Sequence, residues 1–234
     1  PCPNLAPQGA TSTGKMKNLF STAVITMLLP LGGCETAYYS AMEQVGVHKR
    51  EILVDRVDDA AEAQEDAKEE FQSALELFTS VVKVPPSDLQ DTYESLNDAF
   101  EDAKDRAEEV TDRIDSVESV SDALFDEWAE EIEVISNTRL RASSAAQLKK
   151  SKQQYGALIR SMRQAEGKMK PVLTAFQDQV LFLKHNLNAQ AISSLRGELS
   201  TIQSDVAVLI RDMEASIAKS QAFIEDMELL GGSS

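Results

Sequence analysis

The sequence predicts an all-α protein, an elongated antiparallel, coiled-coil-like bundle of four long helices. Three observations point there. Past residue 34, glycine and proline are scarce and Ala, Glu, Asp, Ser and Leu dominate, the composition of long helices. The same region shows no apolar–polar alternation bounded by turn residues, so no strand is predicted. It holds four stretches with a strict seven-residue apolar repeat in steps of three and four, the period that keeps one stripe turned to partner helices.

The residues ahead of the bundle read as an address. Met16 and Lys17 open a positive segment, and Leu19, Phe20, Ala23, Val24, Ile25, Met27, Leu28 and Leu29 form an apolar run. That run suits a secretory signal and is short of the roughly 20 residues a spanning helix needs. Leu31-Gly32-Gly33-Cys34 follows, the pattern of a bacterial lipoprotein cleavage site. The two glycines let a peptidase reach the backbone, and the Cys34 thiol is the nucleophile that takes a diacylglycerol. Residues 16–33 are therefore read as a signal peptide, with translation starting at Met16 and residues 1–15 as a non-native extension. With Cys2 removed alongside them, Cys34 is the mature chain's one cysteine, and no disulfide is available. Gly9, Gly14 and Lys15 have the spacing of a phosphate loop. However, Met16 stands where a magnesium-binding Ser or Thr belongs, and no strand–helix context surrounds them, so no nucleotide is expected.

Residues 34–52 are read as a tether. Tyr38 and Tyr39 suit a membrane interface, and His48-Lys49-Arg50 is a basic knot able to meet lipid headgroups or simply start the first helix. The bundle proper is assigned to residues 53–230, with a disordered tail at 231–234. The first stripe runs Leu53, Val57, Ala60, Gln64, Ala67, Phe71, Ala74, Phe78, Val81. Pro85-Pro86 ends it, and Ser87 is placed to cap the next helix, with Gln90 at the capping-box position. The second stripe runs from Leu89 through Phe100, Val110, Ile114 and Leu124 to Trp128.

Beyond Trp128 the phase slips, since continuing the repeat would put Lys149 in place of Leu148. A turn or sharp kink is expected between Ile135 and Ala145. The third stripe passes through Leu148, Tyr155, Met162, Met169, Phe176 and Leu183, with a kink expected at Pro171. Asn186 and Asn188 mark the last turn, with His185 capping carbonyls there. The fourth stripe passes through Ile192, Leu199, Ile202, Leu209, Met213, Phe223 and Leu230. Four helices of roughly 40–50 residues, about 60–75 Å each, favour up-down-up-down packing. The alternative is three helices, with the second and third fused.

Charge divides the chain. Residues 51–133 hold 28 acids and 6 bases, whereas residues 139–170 hold nine bases and a single acid, Glu166. The simplest expectation is that acidic and basic helices lie side by side; the sharper one is a basic patch for a polyanion. The net charge of −16 argues against wrapping nucleic acid. His48 and His185 lack the Glu three residues earlier that a di-iron bundle needs, and no thiol or histidine cluster offers a zinc site. No catalytic residue, metal ligand or cofactor is expected, and the chain is read as a non-enzyme.

Four segments, Gly33-Cys34-Glu35-Thr36-Ala37-Tyr38-Tyr39, Val45-Gly46-Val47-His48-Lys49-Arg50, Ala123-Leu124-Phe125-Asp126-Glu127-Trp128 and Phe182-Leu183-Lys184-His185-Asn186-Leu187-Asn188-Ala189-Gln190-Ala191, resemble a family of bacterial lipoprotein-type proteins known only as a domain of unknown function. Its members sometimes carry the label DNA-repair ATPase, which the absence of a usable nucleotide site here contradicts. The resemblance implies no activity and no catalytic residues.

The sequence thus leads to the expectation of a lipid-anchored, periplasm-facing envelope protein with a scaffold or adaptor role. Its expected partners are the membrane, through acyl chains on Cys34, and envelope proteins or a second copy, through the heptad helices. Glu35 stands where an Asp would signal inner-membrane retention in enteric bacteria, which favours the outer membrane. The alternative is a binding module holding a lipid or other apolar ligand in a groove lined by Met162, Met169, Phe176 and Phe223.

Overall fold

The structure, a computed structural model, describes residues 48–83 and 89–231. It contains four helices: α1 (Lys49–Val81), α2 (Leu89–Val134), α3 (Thr138–His185) and α4 (Ala189–Gly231), with no strand among the described residues. Each helix packs on its two neighbours in chain order, and α4 returns to α1, closing the ring. The hairpins are antiparallel. Lys49 at the start of α1 meets Glu127 near the end of α2, while Arg106 of α2 meets Asp66 farther along α1. Trp128 reaches Ser144 across the α2–α3 hairpin, and Gln164 reaches Asp212 across α3–α4. The three-helix alternative is excluded, because the chain turns at residues 135–137.

The heptad stripes form the core. Every residue of the first stripe is buried, Gln64 included, and the second stripe from Leu96 to Trp128 is buried throughout. Tyr93, Tyr155, Gln179, Leu199 and Leu230 are the half-buried members of the four stripes. Aromatic rings join helices edge to face, with Phe78 on Phe176 at 6.2 Å and Phe125 on Tyr155 at 5.4 Å. Burial pushes the Tyr155 phenol above its ordinary pKa, and a hydrogen bond with Ser121 opposes the shift. Alanines at the α1–α2 contact, such as Ala60, Ala67, Ala103 and Ala107, let those two helices approach closely.

The helix ends follow local chemistry, with some departures from expectation. Asn137 caps α3, its side-chain oxygen accepting from the backbone N–H groups of Arg139 and Leu140 at 3.0 and 3.2 Å. The break between α2 and α3 is therefore three residues long, and residues 138–145 are helical. At the far end it is Asn186, not His185, that takes a carbonyl: its side-chain amide donates to the Phe182 oxygen at 2.9 Å. α3 runs unbroken through Pro171, which has no N–H to offer the Gly167 carbonyl. Gln90 donates its side-chain amide to Glu94, one turn ahead, at 2.7 Å. Ser87, Pro85 and Pro86 lie outside the described residues.

The first helix begins earlier than expected. Residues 49–52, assigned to the tether, are the first turn of α1, and Ile52 is buried in the core. Even so, α1 is the shortest helix, at 33 residues against 46, 48 and 43. The α2–α3 hairpin consequently runs on past the first turn of α1. Seven residues of α2 follow Glu127, about 10 Å at 1.5 Å per residue. Among the described residues no helix is long and apolar enough to cross a membrane.

Candidate functional site

The bundle has two ends. The proximal end carries the start of α1, the α2–α3 turn and the end of α4; the distal end carries the α3–α4 turn. The proximal end holds the cleft of most chemical variety, about 970 Å³ in volume. α1 contributes His48, Lys49, Arg50, Glu51, Val54 and Asp55, α2 contributes Leu124, Glu127, Trp128 and Glu131, and α4 contributes Met227 and Glu228. These helices meet here because Ile52 and Leu53 draw the first turn of α1 into the core.

Of the basic knot, only His48 is exposed. Lys49 lies along α2 with 9% of its surface exposed, its ammonium 2.9 Å from Glu127. The Arg50 guanidinium stacks on Trp128, 5.5 Å from the ring centroid, and its Nε is buried with no hydrogen-bond partner. The Trp128 indole N–H donates to the Ser144 hydroxyl at 2.8 Å, fixing the ring between α2 and α3. Five carboxylates, Glu51, Asp55, Glu127, Glu131 and Glu228, outnumber the cations of the wall. The cleft is thus a partly apolar, net acidic surface braced by one aromatic ring.

Cys34, with Leu31, Gly32, Gly33, Tyr38 and Tyr39, lies outside the described residues, as does the phosphate-loop look-alike. Thirteen residues, 35–47, separate Cys34 from His48. Met162, Met169, Phe176 and Phe223, proposed above as a groove, are 0–3% exposed and enclosed in the core. No group of three or more His, Cys, Asp or Glu is placed to hold a metal ion among the described residues.

The acidic and basic helices do lie side by side. Arg163 of α3 bonds Asp115 and Glu118 of α2 and Glu166 of its own helix. Glu118 foremost, then Asp115 and Glu166, holds its guanidinium well above the usual arginine range, so it stays a cation at any working pH. By contrast Lys149, Arg160, Lys168 and Lys170 are exposed on α3 and form no ion pair among the described residues.

With the geometry established, comparison with known proteins gives one decisive result. The model of the family described as "Protein of unknown function (DUF2959)" matches residues 38–227. The chain belongs to that family. The DUF2959 match takes in α1, α2, α3 and most of α4, and it begins ten residues ahead of His48. No curated protein matches the chain.

Sequence reasoning missed the cleft and the hairpin tip. Arg50 and Trp128 are 78 positions apart, and only the register between α1 and α2 brings them together. The available signal was the lapse of the stripe between Trp128 and Leu148, where Ile132, Val134 and Leu140 are apolar but out of step with the repeat that reaches Trp128.

Proposed function

We propose that this DUF2959 protein is a lipid-anchored protein of the cell envelope, facing the periplasm from the outer membrane, with a scaffold or adaptor role. One observation carries the reading: a lipoprotein-type motif, Leu31-Gly32-Gly33-Cys34, stands thirteen residues ahead of a bundle that consumes its apolar stripes internally. Such a bundle binds partners through its outer faces, and these are charged. α3 offers the exposed cations Lys149, Arg160, Lys168 and Lys170, and α2 offers an acidic face along Asp105, Glu108 and Asp112. Charge complementarity of this kind gives partner choice more than raw affinity. The role proposed is attachment and binding, without catalysis.

A photo-crosslinking residue placed at Arg160 or Lys168 in intact cells tests the role. Discrete crosslinks to envelope proteins or to a second copy are expected. Crosslinks only to cytoplasmic proteins contradict the reading. The alternative, a module for an apolar ligand, draws support from the proximal cleft, where Val54, Leu124, Trp128 and Met227 form an apolar wall.

A further inference from the structure

We propose that the tip of the α2–α3 hairpin is a second contact with the lipid bilayer, working beside the acyl anchor. The proposal rests on the anchor reading, because it needs the proximal end to face the membrane.

The tip is apolar where it is most exposed. Val134 is 80% exposed and Leu140 60%, on either side of the turn. Between them stand Ile135, Ser136, Asn137 and Thr138, uncharged, and then one cation, Arg139. Arg139 and Arg141 flank Leu140, with stems long enough to lie along acyl chains while their guanidinium groups stay among phosphates, so neither charge has to enter the apolar layer. Glu130, Glu131 and Glu133 lie behind the turn on α2, so the pull is apolar and not a general attraction to anionic lipid.

Position selects the bilayer as the occupant. The tip belongs to the end at which α1 begins, and it extends past the first turn of α1. The thirteen residues between Cys34 and His48 span at most about 45 Å even fully extended. A bundle held on that leash keeps its proximal end near the lipid, where Val134 and Leu140 of the tip are presented, as is Leu229 near the end of α4. Asn137 accepts from two of the first N–H groups of α3, Arg139 and Leu140, so the turn can approach lipid without leaving those two donors bare.

The test uses the full chain, acylated and reconstituted into vesicles of phosphatidylethanolamine with a quarter phosphatidylglycerol. With Cys34 acylated, Ser136→Cys supplies the free thiol that carries an environment-sensitive fluorophore, and Leu187→Cys at the distal turn carries the same dye as the reference. Quenching by nitroxide-bearing lipid is expected to be several-fold stronger at 136 than at 187. It should survive high salt, which screens charge but not apolar contact. Adding Val134→Ser and Leu140→Ser should bring the signal at 136 down to that at 187, with helical circular dichroism unchanged. Equal, water-like signals at both positions in vesicle-bound protein overturn the proposal and leave the anchor standing. Failure of the unlabelled acylated protein to float with vesicles refutes the anchor and the tip contact together.

Discussion

Gln64 occupies a heptad position in the middle of α1, fully buried, with neither amide atom hydrogen-bonded among the described residues. A polar side chain so placed costs stability, because its donors and acceptor give up water for nothing. Gln64→Leu keeps the volume close and removes the unmet groups. It is expected to raise the unfolding free energy by about 1–2 kcal/mol, measured by chemical denaturation. A fall in stability would show that Gln64 has a partner or water the core depends on. The residue's burial was legible in the sequence, since it falls in step with Leu53, Val57, Ala60 and Ala67. Its isolation was not, because that depends on which side chains α2, α3 and α4 bring to the same level. The same limit applies to Arg50 and Trp128, whose stacking follows from interhelical register.

At the scale of elements, Arg163 ties α3 to α2 through two carboxylates of the neighbouring helix. The pairs are partly solvated, with Arg163 about a third exposed and its α2 partners more so, so each is worth little alone. Arg163→Ala is expected to cost about 1 kcal/mol of stability at low salt, and less at high salt, where screening weakens the wild-type pairs. A loss that does not respond to salt would mean that the packing of the arginine stem matters more than its charge. Helix existence and pairing order were legible from the alternating three–four steps, and the turn at 135–137 from the phase slip. Helix ends were less so. The start of α1 at Lys49 was hidden by three charged residues, Lys49, Arg50 and Glu51, which read as solvated tether until Lys49 is seen lying along Glu127. The helical start of α3 was hidden because residues 138–147 bury no stripe, their apolar member Leu140 being exposed.

At the scale of the molecule, the described residues form a closed ring of four antiparallel helices whose core is the set of heptad stripes and whose outer faces are charged, basic on α3 and acidic on α2. In this arrangement, the features open to partners lie at the ends and on the faces: a proximal cleft braced by Trp128, an exposed hairpin tip, and a run of exposed cations on α3. Fold class could be read from the sequence because a heptad pattern states both the helix and the face it buries. The surface features could not, because exposure is a property of the assembled bundle. Everything proposed about place and partners depends on attachment at Cys34. Metabolic labelling of intact bacterial cells with palmitate, comparing the wild-type chain with Cys34→Ala, tests it most directly. Label on the wild-type protein and none on Cys34→Ala is the result the account predicts; equal labelling of both, or of neither, would contradict it.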